Sequence, residues 1–491
     1  RFEKNKAAIE MRNRLQDEGR MPTREEQTVL AGYTGWGSFG QELFQGSWAK
    51  PAPKSGWEAR DKWLRENLGQ KEWEGMQTSI INAHYTDPPT VLAMWDMVRR
   101  MGFTGGRTLE PSIGIGNFYG MMPADMVGRS QRAGIELDPL TGSMAQMLYP
   151  NANIQIKGYE ASTTPDNFYD LVIGNWPFFE YGPADRRYNR LNPTLHDYFF
   201  LKAIDQTRPG GLVVGITSKG TMDKKGISAR MEMARKAELV AAFRLPSGAF
   251  EEYAGTKVVT DIIILRKRER PTDLVAGAGW IDVKDHDTAE GTKVPVNEYF
   301  HRNPTHVIGR IDYGHGTTTF RPGLIVHRPD DMMGQLRRIV DLVPGGAFRA
   351  GADAKRISYV ANHTSDRTNA LVKTDKGLFI VQGEYLAPAN EVVKYELKDA
   401  AKTAKRVAEL EALIGMRRLY AQLIDAERTG NAETQRTALR QAYEQFTKTS
   451  GPLADSFALG YLRKIDDPFY PSLAALEIGT DDAKGKRTYR P

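Results

Sequence analysis

The chain has 491 residues, a net charge of +6, 40% hydrophobic residues and no cysteine. This length is too great for one hydrophobic core, so several domains are expected. The lack of cysteine excludes disulfides, thiolate zinc sites and thiol nucleophiles, and no apolar run approaches the length that a membrane helix needs. We therefore expect a reduced, cytoplasmic protein with no membrane partner and no metal site.

The first region, 1–80, has the pattern of a helical region. Thr23 followed by Glu26 has the spacing of a capping box, which marks the start of a helix. Glycines from Gly32 onward are expected to end that helix, and 57–81 is predicted to be helical again.

The second region, 81–270, alternates short apolar runs with helical stretches. Continuous apolar strands separated by helices are typical of a parallel sheet covered on both faces. The last two runs are joined only by 244–257, which leaves no room for a crossover helix, so they should pair antiparallel. The seven predicted strands lie at 107–110, 133–136, 154–156, 171–174, 212–216, 240–243 and 258–265. The sequence therefore predicts an α/β, doubly wound, seven-stranded sheet whose last strand is antiparallel.

Two further regions complete the chain. Residues 271–396 are predicted to be mixed α+β, with a hairpin turn at 373–377. Residues 397–491 are predicted to hold a helical hairpin, with one long helix over 397–428, and a C-terminal tail.

Polar and glycine residues at the ends of the first three predicted strands are candidates for one ligand site. Glycines after the first strand would let the backbone approach a ligand, next to an electropositive helix N-terminus. Glu136 ends the second strand, where a carboxylate can accept hydrogen bonds from ribose hydroxyls, and Glu160 follows the third, where it could accept from an adenine amino group. The candidates after the first strand are Glu110, Pro111, Gly114, Gly116 and Asn117.

The fourth strand is followed by Asn175, Trp176, Pro177 and Phe178. The amide oxygen of Asn175 and the carbonyl of Trp176 could both accept from one amino group, and Phe178 offers a flat face for a base. Two acceptors on an amine leave its lone pair directed out of the base plane, towards an electrophilic methyl group. A strand-to-loop turn is the plainer interpretation of the tetrapeptide alone.

A further segment precedes the first strand of the sheet. His84, Tyr85 and Thr86 lead into Asp87, which opens a helix. Asp87 could meet the ammonium of an amino-acid-like cofactor or could cap that helix, and both interpretations are equally consistent with the sequence.

Together these segments resemble S-adenosylmethionine-dependent N6-adenine DNA methyltransferases. Residues 84–88 are similar to the motif before their cofactor loop, 110–116 to the loop itself, Glu136 to their ribose-binding acid and Glu160 to the cofactor-adenine position. The resemblance thus implies that His84, Tyr85, Thr86 and these loop residues and acids bind S-adenosylmethionine.

The tetrapeptide 175–178 resembles their Asn-Pro-Pro-Tyr/Phe catalytic motif, with Trp176 in place of the first proline. The motif order is similar to the gamma arrangement, in which target recognition follows catalysis. Segments at 82–86, 208–211 and 218–223 further resemble methyltransferase modules of phages and mobile elements. No Walker-type lysine loop of a helicase and no nuclease are visible in the sequence. The resemblance therefore implies an orphan type without nuclease or helicase, encoded by a phage or acting at the bacterial nucleoid.

The resemblance also implies a substrate and a reaction. A methyl group would pass from S-adenosylmethionine to N6 of an adenine that is flipped out of duplex DNA and stacked on Phe178. Asn175 at the head of the tetrapeptide favours adenine, and N4-cytosine is the alternative base. The covalent route to C5 of cytosine needs a thiolate and is excluded by the lack of cysteine. A homodimer, or a monomer acting twice, would serve a palindromic target.

Basic residues beside the predicted site are candidates for contacts with DNA phosphates. A solvated surface is at least equally consistent with each of them taken singly. The candidates are Lys219, Lys224, Lys225 and Arg230 at the sheet edge, with Arg310 and Arg321 in the third region.

Two other functions fit the same residues. The chain could be a DNA-binding, methyltransferase-like module of anti-restriction type that is weak or silent without a partner, because Trp176 removes a proline of fixed φ from the tetrapeptide. It could also methylate a protein glutamine or RNA, although the long region after 270 suits DNA recognition better.

Overall fold

The computed structural model describes most of the chain and divides it into two compact units. Unit 1 comprises Arg1–Ser162 and Asp166–Ala352, and unit 2 comprises Thr163–Pro165 and Asp353–Pro491. Within the described part of the chain, no helix is both long and apolar enough to cross a bilayer. The structure describes all residues except 48–49, 83–85, 163, 250–257, 274, 276, 316–321, 350–359, 362–368, 383–384, 431, 466, 482–486 and 491.

Unit 1 begins with a helical region, as predicted. Thr23 and Glu26 form the predicted capping box at the start of α2. The region 57–81 is helical, as predicted, and extended backbone at Leu68 and the following Gly69 divide it into two helices. The elements are α1 (Phe2–Glu18), α2 (Arg24–Leu30), α3 (Gly40–Leu43), β1 (Gln45–Ser47), β2 (Lys50–Ala52), α4 (Glu58–Asn67) and α5 (Gln70–Asn82).

A seven-stranded sheet forms the centre of unit 1. Its strand order is β5-β4-β3-β6-β7-β9-β8, and β9 alone runs antiparallel, to both β7 and β8. The strands are β3 (Arg107–Pro111), β4 (Gln131–Glu136), β5 (Asn153–Ile156), β6 (Tyr169–Asn175), β7 (Thr207–Ser218), β8 (Ala237–Arg244) and β9 (Thr260–Lys267). This order with a reversed last strand is the class I methyltransferase sheet, so the predicted fold is confirmed.

Helices cover the sheet and build the core of unit 1. They are α6 (Pro88–Arg100), α7 (Asn117–Gly120), α8 (Ala124–Val127), α9 (Pro139–Leu148), α10 (Leu195–Gln206), α11 (Gly220–Asp223) and α12 (Ser228–Lys236). Apolar side chains of α6, such as Met94 and Val98, pack with strand residues such as Ile173 and Val214. The core is continuous because the central residues of these strands, at 171–173 and 212–214, are apolar and buried.

Part of the region after 270 belongs to the same core. Leu336 and Ile339 are buried with the residues of α6, and Nε of Arg100 donates to the carbonyl of Val343 at 2.7 Å. Buried Asn297 donates from Nδ2 to the carbonyls of Met222 and Trp280. The elements are β10 (Val283–Asp287), β11 (Lys293–Asn297), α13 (Glu298–Arg302), β12 (Arg310–Gly314), β13 (Gly323–His327) and α14 (Met332–Leu342).

Unit 2 has its own sheet and its own helical core. Its four strands have the order β14-β17-β16-β15, and Thr374 pairs with Gly377 across the predicted hairpin turn. The predicted long helix is confirmed as α16, capped by Asp399 and ended by left-handed Gly430. The elements are β14 (Val360–Ala361), β15 (Leu371–Thr374), β16 (Gly377–Gln382), β17 (Tyr385–Pro388), α15 (Ala389–Val392), α16 (Ala400–Thr429), α17 (Glu433–Ser450), α18 (Phe457–Lys464), α19 (Tyr470–Ala474), β18 (Ile478–Asp481) and β19 (Arg487–Arg490).

Candidate functional site

A cavity of about 470 Å³ opens at the carboxyl ends of β3, β4 and β6 in unit 1. Ligands of open α/β sheets bind at this edge, where the loops that follow parallel strands converge. Most of the residues predicted from the sequence to bind cofactor or substrate are brought together here. Those that line the cavity are Thr86, Glu110, Gly114, Asn117, Glu136, Glu160, Asn175, Trp176 and Pro177.

Other predicted residues are not part of the cavity lining. Gly116 has a left-handed φ of 84°, and the ring of Tyr149 covers it so closely that a Cβ there would overlap the ring. Phe178 is half-buried against the core of the sheet. Pro111 ends β3, and His84 and Tyr85 lie outside the described residues. The predicted stacking of a base on Phe178 therefore stays a prediction.

Three buried carboxylates stand at the ends of β3 and β4. Glu136 accepts hydrogen bonds from the backbone N–H groups of Gly114 and Asp138, at 2.6 and 2.9 Å. Asp138 caps α9 by accepting from the N–H of Leu140 at 3.0 Å. Oε2 of Glu110 and Oδ2 of Asp138 have no hydrogen-bond partner among the described residues. Buried acceptor atoms beside the cavity thus lack a partner within the described part of the chain.

The pKa values of these carboxylates are all raised. Burial, and then the charge of Glu136, raises the pKa of Glu110 well above its ordinary value. Burial, and then Asp138, raises the pKa of Glu136 to about 7, although three backbone N–H groups oppose that rise. Burial raises the pKa of Asp138 to about 6. A ligand that brings hydroxyl or ammonium donors would relieve this cost.

Asn175 ends β6 and faces the same cavity. Its Nδ2 donates to Oγ1 of buried Thr86 at 3.0 Å, which fixes the plane of the amide. Oδ2 of Asp87 accepts from the N–H of Thr90 at 3.3 Å and caps α6, and burial raises the pKa of Asp87. Of the two roles predicted for Asp87, the structure shows that of the helix cap.

Trp176 is accommodated in the first proline position by two strand glycines. The indole is 1% exposed and packs edge-on against Phe200, with ring centroids 4.1 Å apart. Gly215 pairs with Gly174 across β6 and β7, and a Cβ on Gly215 would overlap the indole ring. The bulky side chain therefore fits because its neighbouring strand has no side chain at that point.

The loop that carries Glu160 is held by a buried lysine. Nζ of Lys202 on α10 donates to the carbonyl of Tyr159 at 2.5 Å and to that of Glu160 at 3.4 Å. Burial lowers the pKa of Lys202 to about 8. The carboxylate of Glu160 lies so close to Gly158 that a Cβ at Gly158 would overlap it. The position of Glu160 in the cavity thus depends on a glycine and a distant lysine.

The N-terminal helices supply part of the cavity wall, which the sequence did not reveal. Tyr33 and Gly35 line the cavity from the turn after α2. Asn5 on α1 is fully buried and holds this turn, because its Nδ2 donates to the carbonyl of Gly35 at 2.6 Å and its Oδ1 accepts from the N–H of Thr34 at 2.8 Å. Further lining residues come from α5, namely Lys71, Glu74 and Gly75.

Apolar side chains connect the N-terminal helices to the glycine loop. Ile115 of that loop is buried in one cluster with Tyr33, Trp36 and Met76. Leu137, by contrast, is 64% exposed and lines the cavity directly after Glu136. The position of Leu137 directly after Glu136 in the sequence was the available signal for this lining residue, whereas the N-terminal contribution had none.

The predicted phosphate contacts have mixed outcomes. Arg230 is fully buried and donates to the carbonyls of Ile281, Thr221 and Lys224, so its assignment to DNA binding is wrong. A fully buried guanidinium engaged by three acceptors cannot reach a phosphate.

The other predicted cations are accessible to different degrees. Lys224 is ion-paired with buried Asp197, and Arg310 is paired with Asp312 at 2.9 Å. Lys219 is half-buried and Lys225 is exposed. Arg321 lies outside the described residues.

The loop after the tetrapeptide carries exposed groups that the sequence analysis passed over. Phe179 is 44% exposed and Tyr181 is 74% exposed, with ring centroids 6.0 Å apart. Arg186 and Arg190 are exposed on the same loop. Aromatic faces interleaved with cations form a surface suited to nucleic acid.

The strand order and the cavity at the carboxyl edge together define unit 1 as a methyltransferase-fold unit. No protein-family model matches the chain. Over 275 residues the chain is 30% identical to Defense against restriction protein B of Escherichia phage P1, a match that covers 54% of this chain and 10% of that protein. The chain therefore spans about a tenth of the length of this curated relative.

Solved structures with similarity to the chain include two methyltransferases. One is the methyltransferase subunit of a type I restriction-modification system from Streptococcus thermophilus, at a TM-score of 0.34 and 16% identity, covering 43% of this chain and 53% of that one. Another is a putative class I S-adenosylmethionine-dependent methyltransferase from Listeria monocytogenes, at a TM-score of 0.33 and 15% identity, covering 55% and 90%.

Proposed function

We propose that the chain transfers a methyl group from S-adenosylmethionine to N6 of a flipped-out adenine in duplex DNA. One observation carries the proposal: Asn175 at the end of β6 lines the same cavity as the buried acids Glu110 and Glu136. Acceptors suited to a cofactor and an amide suited to an amino group thus lie around one space. Direct transfer needs only that the nitrogen and the methyl group are held close together and in line.

Each residue of the cavity has a role in this proposal. Glu136 would accept from the ribose hydroxyls, and Glu110 would accept from the ammonium group of the cofactor. When bound, S-adenosylmethionine supplies the electrophilic methyl group. Oδ1 of Asn175 and the carbonyl of Trp176 would hold the adenine amino group, so that its lone pair faces the cofactor side of the cavity. No strong general base is required, because the proton can leave once the nitrogen has become cationic.

The loop after the tetrapeptide supports DNA as the substrate. Phe179 and Tyr181 present aromatic faces close in sequence to Asn175, and Arg186 and Arg190 add positive charge. A base that leaves the duplex loses its stacking on neighbouring bases, and stacking on an aromatic face near the cavity would compensate for that loss. The arginines would contact phosphates and make DNA binding dependent on salt.

A second function is favoured by the curated relative. That protein is named for defence against restriction, and this chain matches only a tenth of it. The chain would then be the methyltransferase-like module of a larger anti-restriction assembly, and it would bind cofactor and DNA but transfer methyl groups only with its partner.

The test is a labelled-methyl transfer assay on mixed-sequence duplex DNA, followed by mass spectrometry of the nucleosides. We expect N6-methyladenine, reduced about a hundredfold or more in Asn175→Ala, because acceptors aimed at the reacting group contribute mainly in the transition state. Asn13→Ala is the matched control, since Asn13 lies on α1 and donates to the carbonyl of Asn67.

Each other result selects another function. Detection of N4-methylcytosine would show that the target base is cytosine and not adenine. Cofactor binding without transfer to DNA would favour the partner-dependent module, and transfer to protein or RNA would refute DNA as the substrate.

A further inference from the structure

Glu160 stands in a four-residue turn at the edge of the cavity. The turn is closed by the N–H of Ala161, which donates to the carbonyl of Gly158 at 3.1 Å. Glu160 is exposed and lines the cavity, so its side chain is accessible to a ligand. Because a surface turn is easily displaced, the contacts that hold its backbone determine where this carboxylate stands.

A buried lysine behind the turn holds both of its central residues. Nζ of Lys202 donates to the carbonyl of Tyr159 at 2.5 Å and to that of Glu160 at 3.4 Å. Lys202 is 8% exposed and is not among the residues that line the cavity. It can therefore act on a ligand only through the backbone of the turn.

The ammonium of Lys202 is also connected to the loop that follows the tetrapeptide. Oη of Tyr198, one turn earlier on α10, accepts from Nζ at 3.3 Å and donates to Oδ2 of Asp185 at 2.9 Å. The same carboxylate oxygen lies 3.8 Å from Nζ. Asp185 belongs to the loop with the exposed aromatic and basic residues. One face of α10 thus joins the turn of Glu160 to the loop that is proposed to contact DNA.

We propose that Lys202 is a positioning residue for the adenine end of the cofactor, because it holds Glu160 where the carboxylate can accept from the adenine amino group. Tyr198 and Asp185 hold the ammonium of Lys202 from the other side. The inference rests on the proposed function for the identity of the cofactor and for the role of Glu160. A binding group is selective only when its own position is fixed by supporting hydrogen bonds, so Lys202 would determine how well the site distinguishes adenine from other purines.

The first measurement uses the unchanged protein and two ligands. Calorimetry gives the Kd of S-adenosylhomocysteine, the demethylated cofactor, and of S-inosylhomocysteine, in which an oxo group replaces the adenine amino group. We expect the inosyl ligand to bind at least about tenfold more weakly, because Glu160 would face an acceptor instead of a donor. Equal affinities would overturn the inference alone, whereas failure of both ligands to bind would refute the proposed function and the inference with it.

The second measurement assigns the discrimination to Lys202. In Lys202→Met, which keeps a long side chain but lacks the ammonium, the Kd ratio of the two ligands should fall to about threefold or less. Lys267→Met is the matched control, because burial lowers the pKa of both lysines to about 8. The hydrogen bonds of Lys267 go to Asn167 and to the carbonyl of Asp205 instead of the turn, so its variant should keep the original ratio.

A second pair of variants changes the protein less than Lys202→Met does. Tyr198→Phe removes only the hydroxyl between Lys202 and Asp185, and we expect the Kd ratio to fall about two- to threefold. Tyr188→Phe is its control, because the buried hydroxyl of Tyr188 also donates to a carboxylate, that of Asp205 at 2.8 Å, but is not bonded to Lys202. Equal ratios in these two variants would overturn the inference.

The pattern of losses separates a positioning role from a packing role. A Kd ratio that falls in Lys202→Met and in Tyr198→Phe, but in neither control, supports the inference. A loss of affinity that is equal for both ligands would make Lys202 a packing residue and overturn it, as would a Lys202→Met protein that discriminates like the unchanged one.

Discussion

Unit 1 contains two clusters of buried charge that are built in opposite ways. In the first, the carboxylates of Glu110, Glu136 and Asp138 stand together beside the cavity, and their pKa values are raised. In the second, Arg244 and Asp261 are both fully buried, and the guanidinium donates through Nε and Nη2 to the two carboxylate oxygens, each at 2.9 Å.

Each charge of the second cluster, which we call the complete cluster, has an ion-pair partner inside the protein, although Nη1 of Arg244 and Oδ2 of Asp223 lie close together without hydrogen-bond geometry. Asp223 lies 2.9 Å from Nη1 of Arg244 and accepts from the N–H of Asn297. Asp223 and Asp261 raise the pKa of Arg244 against the effect of burial, whereas burial raises the pKa of Asp261 although Arg244 opposes that rise. The contrast is between buried charges that are paired with one another and buried acids that have no ion-pair partner among the described residues, and carboxylates perturbed by burial in this way are typical of functional sites.

The largest effect is expected from breaking the complete cluster. Arg244→Met leaves two buried carboxylates without their cation, and we expect a loss of about 3–5 kcal/mol in the free energy of unfolding. Urea denaturation measures it. Arg310→Met is the control, because Arg310 is exposed and its pair with Asp312 should contribute about 1 kcal/mol or less. Similar losses in both variants would contradict the distinction.

The acids beside the cavity, Glu110, Glu136 and Asp138, form the cavity cluster, and they should make the stability of the protein depend on pH. The pKa of Glu136 is about 7 in the folded protein and ordinarily 4.5, so the folded state binds its proton more tightly than the unfolded state does. The resulting stability is present below about pH 4.5 and is lost as pH rises through 7, a change on the order of 3 kcal/mol. The free energy of unfolding of the unchanged protein, minus that of Glu136→Gln, should therefore decrease as the pH is raised from 5 to 8. Parallel curves would refute the assignment.

Removing one unpaired acid should stabilise the protein that has no ligand. Glu110→Gln at pH 8 is expected to raise the free energy of unfolding by about 1–3 kcal/mol, because the neutral amide removes a buried charge whose desolvation is costly. Cofactor affinity should fall at the same time. Asp223→Asn is the comparison, since it removes the same charge from the complete cluster and should destabilise. A change of the same sign in both variants would show that the clusters do not differ.

The smallest effect is expected at the helix cap of the cavity cluster. Asp138→Asn keeps a capping acceptor for the N–H of Leu140 but removes a buried charge, so a gain of about 1 kcal/mol at pH 8 is expected. Asp399→Asn tests the same chemistry at the exposed cap of α16 and should change stability by less than about 0.5 kcal/mol. Thermal melting of both variants gives the comparison.

The sheet could be predicted from the sequence because its signals are local. Runs such as 212–216 are apolar throughout, and the short link before β9 left only an antiparallel pairing. The capping box of Thr23 and Glu26 is likewise contained within four residues. The convergence of Glu110, Glu136 and Asn175 also followed, because parallel strands bring their carboxyl ends to one edge.

Contacts between distant parts of the chain were beyond the sequence. Arg230 has the composition of a surface cation, yet carbonyls of other segments surround it. The space for Trp176 depends on Gly215, which lies on another strand. The cavity wall at Tyr33 depends on Asn5, which no motif marks.

The sequence alone determined the type of sheet, the order of its strands along the chain and the loops that bear the site, because hydrophobic period and glycine spacing act over a few residues. The tertiary structure decided which polar groups find a partner inside the protein. Arg244 obtained two carboxylates, while Oε2 of Glu110 is buried without a hydrogen-bond partner among the described residues. That outcome depends on burial and on neighbours far away in sequence, and the energy of a buried charge depends mainly on those two quantities.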